Sequence, residues 1–432
     1  MQNDTIQYSS SSGYGMYVSN TGTANRLLRM YNCGIKSNDG IGMRVNNAKV
    51  SVSYSRIENN GLQYISSGIY VVNGARVFFD SSRVQNNIGS GLKISGLGSR
   101  VLLTPDSVMT GYNTVTQHGV SELYLLNSGS AFLGGGYYPG GNGGFNNVYN
   151  TYTYSCRLIN NATSNQVSAR WTYWGSTGNR FCGPVNASSE LGSPVNTPAV
   201  MEYRLPGDEI LAVDGKEPSF NDWLVQLKND VINNNINAFD ALHHLAVYAG
   251  PGGQYQNVIG TSWETFLTNI ESKSPSASVK SLASALLIQS KLDNEDFTNA
   301  IMLADNTLGK DIDNDLWFFC QTKKIFAHVG RGDIASAQSV FNNMRDRGES
   351  VDSEAVHAMD EYIAMASRTS SGTRANSNLV KNPFTQTTTV DEERGPGEYS
   401  VTWDANQFAS GIYFYKLQAG MFSEVKKMLL AK

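Results

Sequence analysis

Between residues 32 and 110 three short patterns recur in a fixed order, and strands this short can bury their apolar residues only by stacking copy upon copy. The first reads Cys33-Gly34-Ile35-Lys36-Ser37-Asn38, then Ser55-Arg56-Ile57-Glu58-Asn59-Asn60, then Ser82-Arg83-Val84-Gln85-Asn86-Asn87, so that Ile35, Ile57 and Val84 lie 22 and 27 residues apart. The second is Gly42-Met43-Arg44-Val45, Gly68-Ile69-Tyr70-Val71 and Gly91-Leu92-Lys93-Ile94; the third is Ala48-Lys49-Val50, Ala75-Arg76-Val77 and Ser99-Arg100-Val101. Stacking at the β spacing of about 4.8 Å aligns like side chains into columns. Ile35, Ile57 and Val84 are expected to form one inward column, and Val50, Val77 and Val101 another. The glycines and paired asparagines fall where the path bends, since glycine accepts positive φ and asparagine tolerates it while its amide bonds along the stack. An antiparallel sandwich would need hairpin turns about every 8–12 residues, which a recurrence of triplets does not supply.

This pattern resembles the right-handed parallel β-helix of the pectate-lyase-like superfamily, expected here over residues 1–200. Its coils continue less regularly to about residue 180, where Ala169-Arg170-Trp171-Thr172-Tyr173-Trp174-Gly175 resembles the Trp-Trp-Gly segment that closes such helices in secreted bacterial proteins. The resemblance raises the question of a lyase or glycoside hydrolase, because enzymes of this kind group aspartates for acid–base work or for calcium. Here Asp39, Glu58, Asp80, Asp106 and Glu122 are scattered; aligning the coils sets Asp80 opposite Ser53 and Thr104, and Asp106 opposite Ser82. Gln117-His118-Gly119 is similar to the hydrolases' histidine-glycine motif but lacks partner aspartates, so His118 reads as a turn histidine. The expectation is a non-catalytic chain with no cofactor and no metal, the alternative being an enzyme whose site lies in coils missing or not recognised.

Charge divides the chain. Residues 1–200 carry 13 Lys and Arg against 7 Asp and Glu, and the remainder carries 20 against 30, so the parts meet different partners or each other. Within the coils the basic residues are ordered, with Lys49, Arg76 and Arg100 in the third register, Arg44, Tyr70 and Lys93 in the second, and Arg56 and Arg83 in the first. Alternation with inward residues points them outward, and stacked like charges are tolerated when solvent screens them or an anion bridges them. Arg44, Lys49, Tyr70, Arg76, Lys93 and Arg100 are thus candidate ligands for an acidic polysaccharide, with Tyr70 as a stacking platform; a solvated edge is the plainer reading. A pI near 5.8 opposes nucleic acid as the partner.

Residues 201–219 read as a linker punctuated by Pro and Gly, and residues 220–368 switch to helical period, with seven or eight helices expected. Phe326 to Ala337 with Phe341-Asn342-Asn343-Met344 resembles the turn and second helix of a tetratricopeptide-like unit, which implies an α-hairpin array able to hold a protein partner. Arg331-Gly332-Asp333 is what a helix stop followed by an N-cap requires. His243 and His244, being adjacent, point to different sides of a helix. No 18-residue apolar run is present, so no transmembrane segment is expected.

After a second linker, 369–381, residues 382–432 alternate apolar with polar between glycine turns. Asn382-Pro383-Phe384, Tyr399 and Trp403 in Gly-x-Tyr-x-Val-x-Trp, Gly411 and Tyr413, and Lys426-Lys427 follow the order of the C-terminal sorting domain of type IX secretion substrates in Bacteroidota, which this tail resembles. Only Asp391 to Pro396 separate the threonine-rich strand from the Gly-x-Tyr strand, so the domain is shortened. The resemblance implies a small β-sandwich-like tail, the type IX machinery as partner, and a secreted or outer-surface location. Met1 to Thr5 carry no signal peptide, so a processed or truncated N-terminus is expected. Of four cysteines, Cys156 and Cys182 flank one Trp-rich segment and are a candidate disulfide, with buried thiols as the alternative.

Overall fold

A computed structural model describes residues 5–7, 14–19, 27–61, 66–103, 111–134, 146–151, 155–170, 172–175, 180–188, 190–194, 220–235, 238–251, 255–346, 353–375, 411–419 and 422–430. Strands of two to six residues assemble into three parallel sheets, each seven-stranded. The first sheet runs Thr5–Gln7, Gly34–Lys36, Arg56–Glu58, Arg83–Gln85, Thr114–Thr116, Asn146–Tyr149 and Thr172–Tyr173. Tyr14–Ser19, Ile41–Asn46, Ile69–Val72, Leu92–Ser95, Leu123–Leu126, Ile159–Asn161 and Phe181–Cys182 make the second. Leu27–Tyr31, Lys49–Ser53, Arg76–Asp80, Arg100–Leu102, Ser130–Gly134, Val167–Ala169 and Val185–Asn186 make the third. The chain visits the three in turn and adds one strand to each per circuit, a topology compatible with a parallel β-helix.

The expected columns form. Ile35, Ile57 and Val84 pair rung on rung in the first sheet, and Val50, Val77 and Val101 in the third, all of them buried. With Met43, Val45, Ile69, Val71, Leu92 and Ile94 they make one continuous core. Its polar corners are laddered. At one, the Asn38 amide donates to Asn60 Oδ1 at 2.8 Å and the Asn60 amide to Asn87 Oδ1 at 2.9 Å, while Asn60 Nδ2 also satisfies the carbonyl of Ile35. A glycine column is obligatory beside this ladder: a Cβ on Gly42 would stand 2.6 Å from Asn60 Nδ2. At another corner the backbone N–H groups of Cys33, Ser55, Ser82 and Asn113 donate in succession to Ser55 Oγ, Ser82 Oγ, Asn113 Oδ1 and Asn146 Oδ1. Trp174, fully buried and edge-on to Phe181 at 4.7 Å, packs into the core beside the last short strands. Trp171 lies outside the described residues.

Among the described residues eight α-helices follow: α1 (Phe220–Ile232), α2 (Ala238–Tyr248), α3 (Trp263–Lys273), α4 (Ala277–Asp293), α5 (Phe297–Leu308), α6 (Asn314–Gly330), α7 (Ile334–Asp346) and α8 (Ser353–Ala375). α1 packs on α2, and successive helices from α3 to α7 pack on one another in repeat-like fashion; Ser262, Ser276, Asp296 and Asp313 cap α3 to α6. Asp333 Oδ1 accepts from Ser336 N at the start of α7, and Gly332 takes φ +75°, so Arg331-Gly332-Asp333 serves as helix stop and cap.

Coil and helices form one compact unit, residues 1–370. Helix α6 meets the corner between the second and third sheets, where a Cβ on Gly74 or Gly98 would stand 3.4 Å from the Phe319 ring and the Lys323 ammonium donates to Asn47 Oδ1 and to the Asn73 carbonyl, both at 2.5 Å. Leu97 of that corner joins the apolar cluster of α1 to α6. Tyr70 and Val72 of the second sheet join a cluster with Phe326, Phe341 and Tyr362, while Phe78, Leu102 and Phe132 of the third pack with Val247. Residues 201–219 and 376–410 lie outside the described residues. The second unit, residues 371–432, holds an antiparallel pair of strands, Gly411–Ala419 and Phe422–Leu430, with Tyr413 opposite Met428 and Phe414 opposite Lys427. Among the described residues no helix is long and apolar enough to cross a membrane.

Candidate functional site

The outward columns alternate with the buried ones, so each sheet presents its own line of polar side chains. In the third sheet Lys49, Arg76 and Arg100 occupy successive rungs, and in the second Arg44, Tyr70 and Lys93 do the same. They leave the coil pointing outward, as their register requires, but four of the six do not reach open solvent. The helical layer covers them: Arg44, Tyr70, Arg76 and Arg100 are 2, 0, 6 and 0 % exposed, and Lys49 and Lys93 are half-buried. A polymer cannot lie along this surface while the helices occupy it.

The contacts beneath the helices are specific. Arg100 Nη2 lies 2.6 Å from Asp240 Oδ1 and 3.2 Å from His244 Nε2, both on α2, and the His244 ring sets its edge against Phe132 at 4.4 Å. Arg44 meets Glu361 of α8 at 3.2 Å, with the Tyr14 hydroxyl bonded to both. The Arg44 guanidinium and the Lys93 ammonium sit 5.5 and 5.1 Å from the Tyr70 ring centre, which therefore stacks on protein cations. Ser128 donates to Asp315 of α6. Burial dominates the electrostatics of this seam: it pushes the Lys323 amine down to about 7 and the Lys49 amine down to about 8, raises the Asp240 carboxyl despite Arg100, and holds His243 and His244 neutral. Asp240, His243, His244 and Val247 fall on one stripe of α2; His244 meets Arg100 and Phe132 of the coil, while the His243 ring lies 5.0 Å from that of Phe239.

His118 takes a different place. Its Nδ1 accepts from Asn87 N at 3.1 Å and its Nε2 donates to the Val84 carbonyl at 3.0 Å, the two bonds that an asparagine makes one rung earlier. It ends the asparagine ladder as a neutral imidazole, held down to about 3 by burial. Glu122 Oε1 accepts from Asn150 Nδ2 at 2.5 Å and from His118 N, and Arg157 donates to the carbonyls of His118, Gly119 and Val120. The side chains of His118, Glu122, Asn150 and Arg157 are all buried. Burial lifts the Glu122 carboxyl to about 8, whereas an unfolded glutamate ionises near 4.5. The folded state then keeps a proton that the unfolded state has released, so Glu122 costs stability progressively from pH 4.5 to 8 and by a constant amount above. Glu122→Gln is expected to match the parent at pH 4 and to exceed it by about 4 kcal/mol at pH 8, read by urea unfolding at both.

The first sheet remains open. Arg56 is exposed, and Lys36, Glu58, Arg83 and Gln85 are half-exposed beside it, with Gln85 Nε2 bonded to Glu58 Oε2 at 2.7 Å. Arg56 and Arg83 are neighbours on adjacent rungs. Further down the same face, Tyr149 and Tyr173 meet edge to face at 5.9 Å, both half-exposed. Cys156 and Cys182 are joined by a disulfide across a separation of 26 residues, and Cys33 and Cys320 are buried thiols.

Among the described residues no three His, Cys, Asp or Glu side chains converge on a metal-sized site. Asp80 stands opposite Ser53, as the alignment of coils requires, whereas Thr104 and Asp106 lie outside the described residues. Of the sorting-signal residues, Gly411 and Tyr413 lie on the first strand of the C-terminal pair and Lys426 and Lys427 on the second; Asn382, Pro383, Phe384, Tyr399 and Trp403 lie outside the described residues. Comparisons with protein families, with curated proteins and with solved structures give no match for this chain.

Proposed function

We propose that this chain is an exported, non-catalytic scaffold that binds acidic polysaccharide or surface material through the first sheet of its coil. In this reading the coil is a right-handed parallel β-helix of the pectate-lyase-like type, the helices are a tetratricopeptide-like array, and the tail is a shortened sorting domain that engages the type IX secretion machinery. The observation that carries it is the division of labour among faces: the second and third sheets spend their outward side chains on the helical layer, and the first carries Lys36, Arg56 and Arg83 on the same face as a pair of tyrosines further along the stack. Cations on successive rungs suit the repeating carboxylates of a uronic-acid polymer, and exposed aromatic rings suit the flat faces of sugars. The disulfide supports an oxidising destination. The helical array is the part suited to a protein partner.

Titrating the full chain with a uronic-acid polymer and with a neutral glucan tests this. Binding of the acidic polymer alone is expected, weakening with salt and falling about tenfold on Arg56→Ala with Arg83→Ala, equivalent to about 1.4 kcal/mol. Binding indifferent to salt and to both substitutions would refute the face, and release of unsaturated sugars or of new reducing ends would establish the enzyme alternative.

A further inference from the structure

Two adjacent histidines of α2 are buried beside permanent cations. His243 and His244 are 0 and 1 % exposed, and three of their four ring nitrogens, both of His243 and Nδ1 of His244, have no hydrogen-bond partner among the described residues. The fourth, His244 Nε2, stands 3.2 Å from Arg100 Nη2. A guanidinium only donates and does not shed its proton, so Nε2 must offer a lone pair there, and the geometry itself makes His244 neutral. A proton on Nε2 would break that bond and set a second cation against the first. Asp240 Oδ2 lies 3.8 Å from Nε2, but Arg100 already engages that carboxylate at 2.6 Å. Arg100 and Arg76 both bear on His243. Of the other elements packed on α2, α1 sets the Trp223 ring 5.4 Å from His244, and Asp293 of α4 acts on Arg76. Val247 completes the contact with the sheet, against Phe78, Leu102 and Phe132.

We propose that His243 and His244 make the contact between α2 and the third sheet acid-labile: as the pH falls below neutral they take up protons that the docked arrangement cannot hold, and α2, with α1 packed on it, lifts away and uncovers Arg76 and Arg100. Burial and the neighbouring guanidiniums hold both imidazoles well below their ordinary 6.5 while α2 is docked, whereas on a released helix they titrate near that value. The released state therefore binds two more protons, so the stabilisation of docking is fully present above pH 6.5 and is lost as the pH falls below it. The Asp240 carboxyl, raised by burial, acts in the opposite sense. The first sheet takes no part in this contact, and polysaccharide binding there can fail without affecting it.

The test is amide hydrogen exchange of the full chain between about pH 7.5 and 5.5, with the intrinsic chemical rates divided out. The opening constant of α2, Ala238–Tyr248, should rise about a hundredfold over that range, the limit for two groups that titrate near 6.5 only when released. Its amides should also stay faster than those of Ile69–Val72 and Leu92–Ser95 in the second sheet, because α2 opens while the coil remains folded. His243→Leu with His244→Gln keeps an acceptor for Arg100 and should flatten the rise, what remains being the share of Asp240, opposite in sign. Should that double variant fail to fold, either substitution alone should cut the rise to about tenfold. An opening constant that ignores pH or falls with acid, the same rise in the double variant or in both single ones, or α2 amides exchanging only in step with the second-sheet strands would overturn the proposal.

Discussion

Asp240→Ala is expected to destabilise the chain by about 3–5 kcal/mol, because it strands a guanidinium with no route to water. Arg100 is 0 % exposed, and its Nε and Nη1 already lack partners, so Asp240 at 2.6 Å is its main compensation. His244, at 3.2 Å, cannot take over: to neutralise the cation it would have to carry negative charge, and as an acceptor it offers one nitrogen. Replacing both members, with Arg100→Met and Asp240→Leu, should recover most of the loss, since apolar residues of similar volume suit a site already walled by Phe132 and Trp223. Urea unfolding of the three variants against the parent gives the numbers. A cost below about 1 kcal/mol for Asp240→Ala would mean that Arg100 reaches solvent and that the helices do not seal this face.

Asn60→Ala should cost about 4 kcal/mol without touching the apolar core. Asn60 Oδ1 accepts from Asn38 N and Asn38 Nδ2, and its Nδ2 donates to Ile35 O and Asn87 Oδ1, so one truncation removes four hydrogen bonds among buried groups. Each orphaned donor or acceptor costs about 1–3 kcal/mol, which sets the sum well above that of a surface change. Arg56→Ala, on the open face four residues before Asn60, should stay within about 0.5 kcal/mol and serves as the control. Chemical denaturation read by far-UV circular dichroism compares the two directly.

The stacking of coils was legible because its determinants are local and repeated. Alternation fixes which side of a strand is inward, and recurrence at 22 and 27 residues fixes the register, so Ile35, Ile57 and Val84 could be aligned without coordinates. The helix stop at Gly332 and Asp333 was legible for the same reason. What covers the basic columns was not, since register says only that Arg76 and Arg100 leave the coil. Two signals did bear on it. Phe78, Leu102 and Phe132 share the outward line of the third sheet, and Tyr70 and Val72 that of the second; apolar side chains in such lines require a covering layer. The opposite charge of the two parts of the chain also has a local meaning, because Asp240 and Glu361 of the helices meet Arg100 and Arg44 of the coil. His118 was readable as a turn histidine, but its service as the last rung of an asparagine ladder needed the third dimension.

The most direct test of the docked arrangement is the coupling energy between Arg100 and Asp240, 140 residues apart in sequence, from a double-mutant cycle on the full chain. Helices seated on the third sheet predict a coupling of about 2 kcal/mol or more. Additive effects, with a coupling near zero, would contradict that seating and return the basic columns to solvent.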